Sequence, residues 1–157
     1  MSAAAFSVRT LIRASPSQVF WFLADPLTAS VIDPAVVSYE PEGGVMGLGV
    51  KNHIRMRLLG LPLKLTSETI AWEPGMRMEF QSLTPRRPAT AVATHLFEAC
   101  DEGTAYTWSM EFLPTGIGGR AAARASAALL ARNAVAQQER VRRVLEAALR
   151  ADQASGE

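Results

Sequence analysis

The sequence predicts an α+β fold in which one curved antiparallel sheet of seven strands is covered by a single long C-terminal helix. Three observations lead to this prediction. Between residues 50 and 112, several segments alternate apolar and charged side chains, as an antiparallel sheet with one face in water requires. These segments are separated by short stretches rich in proline and glycine. From residue 120 to about residue 151 the apolar spacing becomes helical instead.

The first elements are a strand and two short helices. The segment AFSVRTLIRAS alternates in the manner of a strand. Ser15 is a suitable N-cap and Pro16 a suitable first helical residue, while Pro26 ends the helix that they begin. The segment LTASVIDPAVV has room for one further helical turn before Pro34.

Six further strands follow in the middle of the chain. In order, they are VVSYE, VKNHIRMRLLG, LPLKLTSETIAW, MRMEFQS, TAVATHLFEA and TAYTWSMEFL. The turns between them include the Gly43–Gly44 pair and the segments EPG, LTPRRPA and CDEG. The helix comes last, and the tail DQASGE is expected to fray.

Length and composition indicate one ordinary globular domain spanning residues 1–157. The chain has 157 residues, of which 48% are hydrophobic and 20% charged. Its formal charge of +1 gives no reason to expect nucleic acid or an anionic membrane as a partner. The single cysteine, Cys100, excludes an internal disulfide. With no signal peptide and no apolar run long enough for a membrane span, we expect a cytoplasmic protein without membrane insertion.

The last helix presents mainly small side chains where a core is expected. On a helical wheel of about 100° per residue, one sector is almost free of charge. That sector holds Ala123, Ser126, Ala127, Leu130, Asn133, Ala134, Gln137, Val141, Val144, Leu145 and Ala148. Its second half is bulky and predicts a sealed core, whereas its first half is small and partly polar.

Two interpretations of the small half compete. In one, alanines allow the helix backbone to approach the sheet closely. In the other, they leave a cavity, which must hold ligand or water because each leucine-to-alanine void costs about 3–5 kcal/mol when it stays empty. Asn133 and Gln137 favour the cavity, since buried amides need hydrogen-bond partners that an apolar sheet does not offer.

Three segments give the chain a resemblance to a known superfamily. They are IRASPSQVFWFLADP after the first strand, WEPGMRMEF between two middle strands and FEACDEGTAYTWSMEF before the last helix. With the order of elements, they resemble the START-like, helix-grip superfamily, also called Bet v 1-like or SRPBCC, over about residues 6–150. The resemblance implies a helix-grip fold with an internal cavity. It does not fix an activity, because the superfamily contains ligand carriers as well as polyketide cyclases and aromatases.

His95 and Tyr106 are the candidate catalytic residues. If Glu102–Gly103 forms a two-residue turn, Phe97 lies opposite Trp108 and His95 opposite Met110, so that the imidazole points inward. A hydrogen-bonded core histidine is the alternative, and a longer or bulged turn would place the side chain outside. The Tyr106 phenol needs a hydrogen-bond partner if it is buried.

The remaining candidates are predicted to line the cavity and bind a ligand. Asn52 is the one polar member of an otherwise apolar strand face, although a position near a sheet end would let it meet solvent instead. The full predicted set is Asn52, Met56, Ser67, Phe80, Trp108, Met110, Ala127, Leu130, Asn133, Ala134 and Gln137. Methionines suit an irregular ligand but are also common core residues.

No metal site or cofactor is predicted. The two histidines, His53 and His95, lie on separate strands, and His53 has the parity of charged, outward residues. No nucleophile elbow, Cys–His signature or nucleotide-binding glycine pattern is present.

Two functions follow, which share the binding of a polyketide- or lipid-like molecule. Similarity to polyketide cyclases implies an enzyme whose cavity folds a poly-β-keto chain, with His95 moving protons and Tyr106, Asn52 and Gln137 polarising carbonyls. The alternative is a non-catalytic carrier or sensor, which needs only the cavity. A biosynthetic carrier protein is a further candidate partner, which Arg86 and Arg87 would attract if they lie at the pocket mouth. The alternative is that these arginines are solvated loop charges. A protein-interaction role for the arginines of the last helix is a weaker third hypothesis.

Overall fold

The structure, a computed structural model, describes residues 4–83 and 88–156. The strands are β1 (Ala4–Ile12), β2 (Val36–Pro41), β3 (Lys51–Leu58), β4 (Leu61–Glu73), β5 (Arg77–Ser82), β6 (Ala89–Cys100) and β7 (Gly103–Pro114). The helices are α1 (Pro16–Ala24), α2 (Ala29–Ile32) and α3 (Gly119–Ser155), with short 3₁₀ turns at Pro26–Thr28 and Glu42–Gly44.

The seven strands form one antiparallel sheet in the order β1-β7-β6-β5-β4-β3-β2. Two short α-helices follow β1, and the long helix α3 closes the chain. The predicted fold class and element order are therefore confirmed. Strands β1 and β2 form the two edges of the sheet.

Two irregularities interrupt the regular pairing of the sheet. One lies between Val36 and Ser38, where β2 pairs with β3, and the other between Thr69 and Ala71, where β4 pairs with β5. An extra residue on one strand bends it and increases its twist. Both irregularities lie in the half of the sheet farther from β1.

Helix α1 is fixed at its start and anchored by one aromatic side chain. The Ser15 hydroxyl accepts from the Gln18 backbone N–H at 3.2 Å, and the Gln18 side-chain oxygen accepts from the Ser15 N–H at 2.8 Å. This reciprocal cap satisfies two otherwise unpaired donors. Phe20 is fully buried and meets Phe97 edge-on, with ring centroids 5.5 Å apart.

The β6–β7 turn differs by one residue from the prediction. Asp101 and Glu102 form it, so that Cys100 pairs with Gly103. Gly103 has φ +128°, and a Cβ there would lie 2.5 Å from the Ile12 carbonyl oxygen. Glycine is therefore required where β7 begins against the end of β1.

Helix α3 lies over β1 and β7 and forms two apolar clusters with the sheet. Near its start, Ala123 and Ala127 pack against Phe112. Farther along, Val141 and Leu145 join the cluster that also contains Phe20. The bulky half thus seals a core, as the sequence predicts.

Gln138 secures the edge strand β1 to α3. Its Nε2 donates to the Val8 carbonyl oxygen at 2.8 Å, and its Oε1 accepts from the Thr10 hydroxyl. These bonds satisfy a buried amide and an edge-strand carbonyl at the same time.

The expected fraying of the tail is wrong for the described residues, because α3 continues to Ser155. The Ser155 hydroxyl donates to the carbonyl oxygens of Ala151, at 2.8 Å, and Asp152, at 3.2 Å. It thereby satisfies acceptors that a helix end leaves unpaired.

Candidate functional site

A cavity of about 520 Å³ lies between the inner face of the sheet, helix α3 and the segment 25–36. We call that segment, which contains α2, the lid. Most of the lining is apolar and comes from Leu, Ile, Met, Ala and aromatic side chains. The volume falls within the range that proteins use for small organic molecules.

His95 and Tyr106 form the main polar pair of the cavity wall. In the observed register, His95 of β6 lies opposite Trp108 of β7, with Tyr106 two residues away on the same face. The Tyr106 hydroxyl lies 2.7 Å from His95 Nδ1, and the two rings are within 7° of parallel. Phe80 meets the imidazole edge-on, with centroids 5.7 Å apart. The pair is thus fixed by aromatic neighbours on three strands.

Burial keeps both members of this pair uncharged. Desolvation lowers the pKa of His95 to about 4 and raises the pKa of the Tyr106 phenol above its ordinary value. Because the phenol is the more acidic of the two groups, we assign its O–H as the donor to Nδ1, which places the imidazole proton on Nε2. Nε2 makes no hydrogen bond to any described residue. The wall therefore offers an N–H donor.

A second polar group joins the lid to α3. Gln137 Nε2 donates to Asp33 Oδ2 at 3.0 Å, and Asp33 Oδ1 accepts from the Ala35 backbone N–H at 2.9 Å. Arg140 Nη1 donates to the Ile32 carbonyl oxygen at 3.3 Å. Both contacts hold the lid against the helix.

A third polar group lies toward the far strands of the sheet. Tyr39 of β2 and Ser67 of β4 both line the cavity and bring two hydroxyl groups to its wall. Burial is the main effect on the Tyr39 phenol and raises its pKa. The hydroxyl pair is thus uncharged at neutral pH.

Nine of the residues predicted as catalytic or ligand-binding do line the cavity. From the sheet these are Met56, Ser67, Phe80, His95, Tyr106, Trp108 and Met110, and from α3 they are Leu130 and Gln137. The turn lies one residue earlier than predicted, so His95 pairs with Trp108 and not with Met110. Trp108 and Met110 are two residues apart and lie on the same face of β7, so His95 still points inward. That these residues act on a ligand stays a prediction.

Asn52 was predicted to line the cavity and does not. It is fully buried, and its Nδ2 donates to Thr69 Oγ1 at 3.2 Å, while Oδ1 has no partner among the described residues. The backbones of Gly49 and Val50 pair with Thr69 and bring the two side chains together away from the cavity. Asn52 is better explained as a structural residue.

Three predicted residues of α3 also lie outside the lining. Ala127 and Ala134 are buried, whereas Asn133 is exposed. The helix packs its alanine stripe onto the sheet, and the adjacent side, with Ala122 and Ser126, faces the cavity. Both interpretations of the small residues therefore apply, each to a different side of the helix.

Several lining residues were not predicted from the sequence, notably Tyr39, Asp33 and Leu129. Tyr39 pairs with Ile54, so a predicted β2–β3 register would have placed it on the inner face. For Asp33 no local signal exists, because only the packing of the lid on α3 brings it to the cavity. Arg86 and Arg87, predicted to attract an acidic partner, lie outside the described residues.

Residues 4–83 and 88–156 contain neither a metal-binding cluster nor a membrane-spanning helix. No group of three or more His, Cys, Asp or Glu side chains there is placed to hold a metal ion. His53 is exposed, with Nε2 3.0 Å from a Glu42 carboxylate oxygen. Within the same residues, no helix has the length and apolar character needed to cross a bilayer.

A seven-stranded antiparallel sheet, two short helices after the first strand and a long C-terminal helix define a helix-grip fold. The chain belongs to the family described as "Polyketide cyclase / dehydrase and lipid transport", which matches residues 3–146. No curated protein matches the sequence significantly.

Solved structures with this fold share little sequence with the chain. The ZhuI aromatase/cyclase from a Streptomyces species is 18% identical, with a TM-score of 0.74 over 91% of this chain and 93% of its own. Ara h 8.0201 is 12% identical, with a TM-score of 0.70 over 92% and 98% of the two chains. The protein of unknown function SA2116 from Staphylococcus aureus is 12% identical, with a TM-score of 0.72 over 94% and 96%. At such identities the likeness concerns the fold alone.

Proposed function

We propose that the protein binds a polyketide- or lipid-like small molecule in the cavity between the sheet and α3. The observation that carries this proposal is an apolar cavity of about 520 Å³ with a few polar groups fixed in its wall. Apolar side chains that line an unfilled cavity lack packing partners on one side, which costs stability. Water is a poor filling for an apolar cavity, since it finds few partners there. An apolar ligand relieves both costs.

The family and the fold support this proposal. The family description names polyketide cyclases, dehydrases and lipid transport. One structure of similar fold is an aromatase/cyclase. These names describe the relatives, and their bearing on this chain is part of the proposal.

The His95–Tyr106 pair favours cyclase or aromatase activity as the role of the bound state. In an aldol-type ring closure, the C=C electron pair of an enol forms the new bond to a carbonyl carbon, and the enol oxygen becomes a carbonyl as its O–H proton is released. Negative charge develops on the attacked carbonyl oxygen, which takes up that proton and becomes a hydroxyl. An N–H from His95 Nε2 stabilises that oxygen, while the Tyr106 hydroxyl, 2.7 Å from Nδ1, holds the ring and its tautomer. The cavity supplies the folded conformation of the substrate. No cofactor enters this scheme.

The lowered pKa changes the role first expected for His95. A group with a pKa of about 4 is a weak base at neutral pH. A neutral imidazole is, however, an effective hydrogen-bond donor to a developing oxyanion. We therefore assign His95 to carbonyl polarisation rather than to proton abstraction.

A non-catalytic carrier or sensor remains the second candidate, because a cavity alone is sufficient for it. The two candidates differ in the fate of the ligand. Native mass spectrometry of freshly purified protein identifies a copurified molecule, and incubation with that molecule or a synthetic poly-β-ketone follows its mass and absorbance. A carrier returns it unchanged, whereas a cyclase yields a cyclised or dehydrated product.

Two variants complete this experiment. His95→Ala is expected to lower turnover with little change in affinity if the protein is a cyclase. His53→Ala serves as the matched control, since that histidine is exposed on the outer face of the sheet. Equal turnover in both variants would remove His95 from the mechanism. The absence of binding by any apolar compound would contradict the proposed function itself.

A further inference from the structure

The polar groups at the lid end of the cavity are hydrogen-bond acceptors. The Asp33 carboxylate receives one bond on each oxygen, from the Ala35 N–H at 2.9 Å and from Gln137 Nε2 at 3.0 Å. A carboxylate has about four acceptor positions, so that about two stay available.

Gln137 adds another acceptor beside Asp33. Because its NH₂ group must face the carboxylate, the orientation of the amide is fixed and Oε1 is its second polar atom. Oε1 makes no hydrogen bond to a described residue. Asp33 and Gln137 both line the cavity, and an acceptor on each is therefore left for a ligand.

No cation balances these acceptors among the lining residues that the structure describes. The charged side chains of that set are Asp25 and Asp33, both acidic. Arg140 lies nearby on α3, but its guanidinium donates to the Ile32 carbonyl oxygen, and no described cation forms an ion pair with Asp33. The imidazole of His95 contributes a neutral donor on the sheet side of the cavity.

We propose that the lid end of the cavity recognises a hydrogen-bond donor on an otherwise apolar ligand, namely a hydroxyl, phenol or ammonium group, and rejects carboxylates. This inference rests on the proposed function, since it specifies the ligand of the same cavity. A carboxylate placed there would be repelled by the charge of Asp33, and none of the described lining residues supplies a cation to pair it. A donor would instead make a charge-assisted bond to the carboxylate.

The two walls together define an orientation for the ligand. A carbonyl or other acceptor faces His95 Nε2, and a donor faces Asp33 and Gln137. Neutral hydroxylated polyketones and phenols satisfy both walls. The carboxylate of a free fatty acid only accepts hydrogen bonds, so it could meet His95 Nε2 but not Asp33 and Gln137.

Four naphthalene derivatives of similar size test this inference. They are 1-naphthylmethylamine, 1-naphthalenemethanol, 1-methylnaphthalene and 1-naphthoate, titrated at pH 7.5 by competition against the neutral fluorophore N-phenyl-1-naphthylamine. We expect the amine and the alcohol to bind at least about tenfold more tightly than the methyl compound, the magnitude of a hydrogen bond to a charged group. We expect the carboxylate to bind most weakly.

Asp33→Asn removes the charge and keeps the shape of the side chain. In this variant the advantage of the amine should fall to less than about threefold, and the carboxylate should gain affinity. Asp101→Asn is the matched control, because it removes the same charge from the exposed β6–β7 turn and should leave the order unchanged. If Asp33→Asn does not fold, the order of affinities of the four ligands for the unaltered protein still tests whether the cavity prefers donors to carboxylates.

The possible failures are distinct. Binding of the fluorophore and all four compounds with the carboxylate as tightest would overturn the selectivity and leave the proposed function intact. An order that is the same in Asp33→Asn as in the unaltered protein would overturn the role of Asp33. No binding of any compound, including the fluorophore, would overturn both proposals.

Discussion

The Tyr106 hydroxyl and His95 Nδ1 lie 2.7 Å apart on neighbouring strands, inside an apolar wall. Two residues eleven positions apart in the chain are brought together because the β6–β7 turn pairs His95 with Trp108. The phenol thereby fixes which imidazole nitrogen carries the proton, and with it the chemistry that the wall presents to the cavity.

Tyr106→Phe should uncouple this pair without changing the shape of the wall. His95 Nδ1 then loses its described partner in a buried place, which costs about 1–3 kcal/mol of unfolding free energy. If the protein is a cyclase, we expect kcat to fall while KM changes little, since the imidazole is no longer held in one tautomer. Urea denaturation and steady-state kinetics measure the two effects. Unchanged stability together with unchanged turnover would show that the bond has no role.

The stability of the protein should depend on pH through His95. Its pKa is about 4 in the folded state against 6.5 for the free side chain. Between these values the unfolded chain binds more protons, so that stability falls as the pH is lowered from about 6.5 to 4 and is restored above 6.5. Over this pH range the contribution of His95 to the free energy of unfolding changes by about 3 kcal/mol.

Urea denaturation at several pH values isolates this contribution. His95→Gln should lack it and show a flatter pH profile, whereas the exposed His53→Gln variant should follow the unaltered protein. The comparison between variants removes the effect of carboxylates that titrate in the same range. Identical slopes for all three proteins would contradict the burial of His95.

Gly103→Ala should be severely destabilising. The new Cβ would lie 2.5 Å from the Ile12 carbonyl oxygen and 2.9 Å from the Ala14 backbone nitrogen, at a φ of +128°. Since backbone atoms on both sides must move, we expect the free energy of unfolding to fall by more than about 3 kcal/mol, which is more than an ordinary surface substitution costs. Gly116→Ala, with nothing within 4 Å of its Cβ, is the control and should change the melting temperature little.

Gln138→Met should weaken the attachment of α3 to the sheet. The variant keeps the volume but leaves the Val8 carbonyl oxygen without this donor, at a cost of about 1–3 kcal/mol. Hydrogen exchange should rise in β1 before the central strands. Gln153→Met, at an exposed position of the same helix, should do neither. A fully stable Gln138→Met protein would mean that packing alone attaches α3 to β1.

Local patterns predicted the fold well because alternation and turn chemistry are local properties. The alternation of β3 placed His53 outside and Met56 inside, and strand parity placed His95 inside even though the turn was shifted by one residue. The resemblance to the helix-grip superfamily predicted how these elements are arranged in the whole fold.

The site was predicted less completely because it depends on packing between distant segments. A helical wheel identifies the uncharged side of α3 but does not show which residues on that side contact the sheet. It therefore does not distinguish Ala134, which packs outside the cavity lining, from Ser126, which lines the cavity. The bonds of Asn52 to Thr69 and of Gln137 to Asp33 join residues far apart in sequence. No local sequence pattern around Asn52 or Gln137 indicates its hydrogen-bond partner.

Ligand binding in the cavity beneath α3 is the central claim, and two adjacent small residues of that helix test it most directly. Ser126 lines the cavity, whereas Ala125 is exposed. Titration with N-phenyl-1-naphthylamine should show saturable binding to the unaltered protein and to Ala125→Phe, and a loss of at least about tenfold in Ser126→Phe, whose ring fills the space. Equal affinity in the two phenylalanine variants, with both folded, would contradict it.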